Sequence, residues 1–111
     1  MRRISLIVLL STCLCLLATT AFAVDGTYRL RDLADSEFRI AEKAYRRAIK
    51  QYGEDMAGMP AEERTSICKK MGYALHDNKI RVSMEDVFAQ AKYKRQVQKL
   101  ERYSSAVGCT N

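Results

Sequence analysis

The sequence has no tryptophan, one proline, one histidine and five glycines among its 111 residues. No glycine-rich loop is present to cradle a phosphate group, and a zinc site would need about four ligands at characteristic spacing, which this chain does not offer. Repeats, low-complexity tracts and Gly/Ser-rich linkers are also missing. These absences favour one small domain and give no support to the common nucleotide-binding or metal-dependent enzymes.

The first 23 residues have the three parts of a cleavable secretory signal peptide. Met1-Arg2-Arg3 is basic, residues 4–17 are almost entirely apolar, and Ala21-Phe22-Ala23 forms an A-x-A cleavage site. The apolar stretch suits the translocon, and the small side chains before the cut suit the peptidase. We therefore expect export, most simply to a bacterial periplasm, with cleavage after Ala23.

Three other interpretations of this N-terminus are weaker. An uncleaved membrane anchor needs about 20 apolar residues, a length that is reached only by counting serines and threonines. A lipoprotein signal needs a small residue before its cysteine, but Cys13 follows threonine and Cys15 follows leucine. The Arg2-Arg3 pair lacks the surroundings of a twin-arginine signal. Cleavage would leave residues 24–111 as one domain with seventeen basic and thirteen acidic residues, a formal net charge of +4.

Two cysteines, Cys68 and Cys109, remain after cleavage. An even pair in an oxidising compartment predicts a disulfide, which at this spacing closes a loop of about 42 residues and stabilises the fold by roughly 4 kcal/mol. The alternatives are two free thiols or a redox enzyme. Redox enzymes favour a C-x-x-C pair, so we expect a structural bond between these two residues.

The segment from Tyr28 to Tyr52 has the periodicity of a first helix, with Thr27 as a candidate N-cap and Gly53 as its stop. Asp35-Ser36 is a point at which a short extra helix could separate from the rest. The predicted apolar stripe consists of Ala34, Phe38, Ala41, Tyr45, Ala48, Ile49 and Tyr52.

A second helix is predicted to start with Pro60 at its first position and to end at His76-Asp77-Asn78. Residues 79–82 alternate in polarity, which indicates an extended connector or a single stray strand. The apolar side of the second helix consists of Ile67, Met71, Ala74 and Leu75.

Ser83 followed by Asp86 resembles a capping box, which predicts a third helix that ends near Val107 at Gly108. Its apolar positions are Ala89, Tyr93, Val97, Leu100 and Val107. The fold class predicted from these patterns is all-α: a small bundle of three helices, or four if the first one splits, closed by one disulfide.

Basic residues recur on one side of the first and third predicted helices. At about 100° per residue, those on the first helix fall within about 60° of one another and those on the third within about 80°. Phe88 falls inside the second stripe and Tyr103 at its border. The predicted partner-binding residues are Arg39, Lys43, Arg46, Lys50, Phe88, Lys92, Arg95, Lys99, Arg102 and Tyr103.

Basic stripes beside aromatic residues suit an acidic protein, anionic lipid headgroups or another polyanion. The simpler alternative is a solvated outer face, because lysine and arginine are good helix formers. Nucleic acid is a poor candidate, since export separates the protein from it and no nucleic-acid-binding motif is visible.

The remaining chemically interesting residues have ordinary interpretations. His76 is expected at a helix end, where it favours the dipole. Met56 and Met59 form an M-x-x-M pair that could bind Cu(I), but methionines more often fill gaps in small cores. The pairs Glu62-Glu63 and Glu85-Asp86 are expected in first helical turns. No catalytic residue, metal ligand or cofactor is predicted.

The leading functional hypothesis is a non-catalytic periplasmic protein that binds an acidic protein partner, as an inhibitor, immunity protein or envelope chaperone does. The alternative is a binder of anionic envelope surfaces, either lipid headgroups or lipopolysaccharide, through its basic helix faces. An enzyme is disfavoured because no group is positioned for acid–base or nucleophilic chemistry. A homodimer is open, since Tyr28, Tyr45, Tyr52 and Tyr73 exceed what a small core needs.

Overall fold

The computed structural model describes residues 28–110. The chain divides into two units at Leu30, and the described part covers only residues 28–30 of the first. The predicted signal peptide, its cleavage site and the Thr27 cap lie outside the described residues.

The described residues form three α-helices and no strand, so the all-α prediction is confirmed. Helix α1 covers residues 28–52, α2 covers Ala61–Met84 and α3 covers Val87–Val107. Helix α1 continues through Asp35 and Ser36 without a break, so a fourth helix is not supported. The architecture is a three-helix bundle.

Helix α2 is longer than the sequence predicted, because it continues past His76-Asp77-Asn78 to Met84. Asparagine is unfavourable inside helices when its amide competes for backbone groups. Here the Asn78 amide donates to the carbonyl of Ala74 one turn earlier, at 2.8 Å, and to that of Ala34 on α1, at 3.1 Å. Residues 79–82 are therefore helical, and the connector or strand predicted there is wrong.

The start of α3 was also predicted too early. Asp86, not Ser83, caps this helix, since an Asp86 carboxylate oxygen accepts from the Ala89 backbone N–H at 3.0 Å. The Ser83 hydroxyl instead donates to the Ile80 carbonyl at 2.8 Å within α2. The capping-box interpretation fails because its serine belongs to the preceding helix.

Two glycines end helices as predicted. Gly53 and Gly108 both have left-handed backbone angles, with φ of 85° and 84°, which glycine adopts without steric cost. At the start of α2, Pro60 is the N-cap and not the first helical residue, a shift of one position. Glu62 and Glu63 lie in the first turn of α2, as expected.

The core contains most of the predicted apolar positions. Tyr45, Ile49, Tyr52 and Val97 are only partly buried and pack against its edge. Met56 and Met59 lie within it, which is the gap-filling role expected of methionine. The buried core cluster consists of Phe38, Ala41, Ala48, Met56, Met59, Ile67, Met71, Ala74, Leu75, Leu100 and Val107.

The predicted disulfide between Cys68 and Cys109 is present, with a Cα–Cα distance of 5.4 Å. It joins α2 to the residue that follows the Gly108 cap of α3. The Cys109 backbone N–H also donates to the Ser104 carbonyl at 2.9 Å, which holds the chain against the end of α3. The bond therefore secures one end of the α2–α3 hairpin.

Candidate functional site

Helices α1 and α3 meet along a line of polar and aromatic contacts, here called the α1–α3 seam. The Lys92 ammonium lies 2.8 Å from an Asp35 carboxylate oxygen, and the Tyr103 hydroxyl donates to Glu42 at 2.8 Å. The Tyr103 ring stacks on Tyr45, with centroids 4.2 Å apart. These contacts fix which sides of the two helices face each other.

The seam determines where the predicted basic stripes lie. Viewed down the axis of α1, the basic stripe lies immediately next to Asp35 and Glu42, the two carboxylates that contact α3. On α3, the stripe includes Lys92, which contacts Asp35. Lys99 of α3 in turn reaches over the Phe38 ring of α1, 6.0 Å from its centroid. The two stripes therefore border the same seam and form one surface.

We call this surface the basic face. All of its charged side chains are exposed to solvent. It consists of Arg39, Lys43, Arg46 and Lys50 on α1 and of Lys92, Arg95, Lys99 and Arg102 on α3.

The carboxylates inside the seam already have partners. Asp35 is paired with Lys92, and Glu42 is paired with Arg46 at 3.2 Å while it also accepts from Tyr103. Among the described residues, the other six cations of the basic face form no ion pair. Their positive charge is therefore available to an external anion.

The two predicted aromatic site residues differ in their surroundings. Tyr103 is half-buried in the seam, where burial and then the bond to Glu42 raise the pKa of its hydroxyl. Tyr103 therefore lies within the seam and stacks on Tyr45, and it is not one of the exposed residues of the basic face. Phe88 lies at the other end of α3 and is 92% exposed.

Phe88 belongs to a cluster that sequence reasoning missed. It has two exposed apolar neighbours on either side of the turn between α2 and α3, Met84 at 73% and Val87 at 80%. We call these three residues the apolar corner. The sequence contains a signal for this cluster. At about 100° per residue, Val87 and Phe88 both lie on the side of α3 that is turned away from Tyr93 and Leu100, the positions that face the core.

The apolar corner adjoins an ion network centred on the buried Glu85 carboxylate. The Arg31 guanidinium binds both oxygens of Glu85, at 2.8 and 2.6 Å, and Arg81 binds the same carboxylate at 3.2 Å. Hydrogen bonding by Arg31 is the main cause that lowers the pKa of Glu85. Glu85 is therefore an internal anchor between α1 and the α2–α3 turn, not a residue of a first helical turn as predicted.

A carboxyl pair joins α1 to α2 on another side of the bundle. Burial, followed by a hydrogen bond with Asp77, raises the pKa of Glu37 to about 7, and the same bond is the main cause that lowers the pKa of Asp77. His76 lies 3.1 Å from Asp77 and is exposed in the middle of α2, so its predicted place at a helix end is wrong. Below about pH 7, the pair therefore holds one proton between two helices.

Within residues 28–110, no group of three or more histidine, cysteine or acidic side chains is placed to hold a metal ion. None of the helices in the same range is both long enough and apolar enough to span a membrane.

No protein-family model, no curated protein and no solved structure shows a significant match to this chain.

Proposed function

We propose that this protein is an exported, non-catalytic binding module that docks an acidic protein on its basic face. The observation that carries the proposal is the position of the two basic stripes, which border a single seam and so form one surface. Export itself rests on the signal-peptide pattern of residues 1–23.

The size of the basic face suits a protein partner. At 1.5 Å per residue, Arg39 to Lys50 spans about 16 Å along α1, and Lys92 to Arg102 spans about 15 Å along α3. Two adjacent helices about 10 Å apart then give the eight basic side chains a footprint that could form the centre of a standard interface, to which each partner contributes roughly 800 Å².

The charge of the basic face favours an acidic partner. Asp32 is the one exposed carboxylate that the rotation of α1 puts on this side, within the part of the chain that the structure describes. A surface whose charges share one sign accelerates association with oppositely charged proteins and repels proteins that carry the same charge. It also disfavours self-association through this face, so a homodimer would have to use another surface.

Arginine is well suited to such a surface, because its planar guanidinium binds carboxylates through two parallel hydrogen bonds. Arg39, Arg95 and Arg102 form no ion pair among the described residues. We expect these three residues to contribute most of the binding free energy, with the lysines mainly raising the association rate.

The experiment is crosslinking in the exported fraction of the producing cell, followed by titration of the captured protein against purified variants. The binding variant is R39E/R102E, and the matched control is K69E/K70E on exposed positions of α2. We expect the binding variant to lose a saturable acidic partner that the control retains, with affinity falling as salt rises. Capture that is the same for both variants would refute the proposal.

A further inference from the structure

We propose that the apolar corner is a membrane-docking point that inserts Met84, Val87 and Phe88 into the interface of an anionic phospholipid bilayer. The corner adjoins one end of the basic face and shares Lys92 and Arg95 with it, but the inference does not depend on the acidic protein partner. It starts from the exposure of three adjacent large apolar side chains at one turn.

Exposure of this kind is unusual because soluble proteins seldom leave contiguous large apolar groups in water unless a partner or a membrane covers them. The three residues lie at the end of one helix and the start of the next, and exposures of 73–92% mean that their side chains project into solvent and do not line a groove. A bilayer interface accepts a convex apolar point without needing a complementary pocket.

Basic residues surround the corner. On α3, Lys92, Lys94 and Arg95 follow Phe88 by about 6, 9 and 10 Å along the helix axis, and on α2 Lys79 precedes Met84 by about 7.5 Å. All four side chains are exposed, which places cations at the depth of the headgroups when the corner is inserted. An apolar point with a basic rim matches a hydrocarbon layer beneath anionic phosphates.

The carboxylates near the corner offset only part of this rim: Asp35 pairs with Lys92, whereas Lys79, Lys94 and Arg95 form no ion pair among the described residues. Glu85 is buried in its ion pairs with Arg31 and Arg81. Asp86 is engaged in capping α3, and Asp32 is the other exposed carboxylate near this end of α1. A second copy of the chain is a poor occupant, because pairing two corners would bring two basic rims together.

The conformation of the apolar corner is already fixed in the absence of a membrane. The Arg31–Glu85 pair connects it to α1, and the Gln90 side chain donates to the Val82 carbonyl at 2.6 Å, which closes the end of α2. Insertion therefore needs no refolding, and little ordering entropy opposes it.

Insertion at the corner leaves most of the basic face free. Arg102 lies about 21 Å along α3 from Phe88, which is farther than the headgroup layer is thick. Only the cations nearest the corner would contact lipid. The distal part of the basic face would point away from the bilayer, where a soluble protein could reach it.

The absence of tryptophan from the chain makes a direct test available, because Phe88→Trp introduces a single fluorescent reporter. The probes are vesicles of phosphatidylcholine alone and vesicles with about 30 mol % phosphatidylglycerol. We expect a blue shift, and quenching by brominated acyl chains, only with the anionic vesicles. Tyr73→Trp, an exposed position on α2, is the matched reporter that should show neither change.

A second pair of variants measures the contribution of the corner. Phe88→Ser should weaken binding to anionic vesicles about 10- to 100-fold, whereas Ser105→Ala, an exposed change near the other end of α3, should not. Circular dichroism establishes that both variants are folded. Equal binding by Phe88→Ser, or a Phe88→Trp spectrum unchanged by anionic vesicles, would overturn the inference. So would a Phe88→Trp blue shift on self-association or on addition of an acidic protein, with no shift on vesicles.

Discussion

Arg81 and Glu85 form an ion pair at 3.2 Å in which the two side chains are only 5% and 3% exposed. Both lie near the end of α2 that the sequence did not predict to be helical. Arg31 supplies a second cation to the same carboxylate. This network is the main polar connection between α1 and the α2–α3 turn.

Glu85→Gln should destabilise the fold by about 3–5 kcal/mol, because it leaves the buried Arg81 charge without its partner. Urea unfolding measures the change. Glu101→Gln removes an exposed carboxylate from α3 and serves as the control, with an expected change within about 0.5 kcal/mol. A Glu85→Gln loss no larger than that of the control would mean that the network contributes little.

The Glu85 carboxylate also predicts that the folded state loses stability at acid pH. Since its folded pKa lies below the ordinary value, its contribution is complete at neutral pH and is lost as the pH falls through that folded pKa. Arg81→Met, which removes one cation but keeps an unbranched side chain, should shift the acid unfolding midpoint to higher pH. A midpoint unchanged by this variant would contradict the assignment.

Glu37 predicts the opposite dependence on pH. Its folded pKa of about 7 lies above the ordinary 4.5, so the folded state binds the proton more tightly. Its contribution is therefore complete below about pH 4.5, declines up to about pH 7 and is absent above that. Glu37→Gln mimics the protonated form and should raise the melting temperature at pH 8 by roughly 4–8 °C, or about 1 kcal/mol.

The same variant should have little effect at pH 4.5, where the wild-type carboxyl is already protonated. Glu101→Gln is again the control and should change the melting temperature equally at both values. An increase from Glu37→Gln that is the same at both pH values would indicate a packing effect instead of proton linkage.

Removal of the disulfide by Cys68→Ser with Cys109→Ser should lower the free energy of unfolding by roughly 4 kcal/mol. This is a large share of the stability expected for so small a domain, so the variant should be partly unfolded at 37 °C. Urea unfolding of the oxidised and variant proteins checks the value. A loss below about 1 kcal/mol would show that helix packing suffices without the bond.

The export prediction is tested by the intact mass of the protein from the exported fraction, alkylated before reduction. We expect a chain that begins at Val24 and carries no alkyl group. A mass that retains residues 1–23 would indicate a membrane anchor. Two alkyl groups would indicate free thiols.

Much of the fold could be predicted from local patterns. Apolar periodicity located all three helices, and Gly53 and Gly108 marked two helix ends because only glycine adopts their backbone angles without strain. The cysteine pair was predictable because two cysteines in a domain expected to be exported have few alternatives.

The second half of α2 could not be predicted in this way. Asn78 and Arg81 occupy core-facing positions, and a polar residue there argues against a buried helix unless its partner is known. Those partners are the Ala34 carbonyl on α1 and the Glu85 carboxylate, which adjoins the core only after the chain turns. The long-range contacts of Asn78 with Ala34 and of Glu85 with Arg31 therefore overrode local propensity.

The candidate site was predictable only in its parts. Each basic stripe follows from the rotation of one helix, but their union depends on how α1 and α3 pack. That packing is set by contacts such as Lys92 to Asp35, across 57 residues of sequence. The apolar corner was missed because Met84 and Val87 were placed inside or beside a helix start that lies elsewhere.

The Cys68–Cys109 bond has a consequence for biogenesis. Disulfides are rare in the reducing cytosol, so if the protein is exported as proposed, its precursor would lack the crosslink that stabilises this small domain. We expect the precursor to remain loosely folded and able to thread through a narrow translocation channel. Oxidation after crossing would then make the folded state persistent, so that maturation proceeds in one direction.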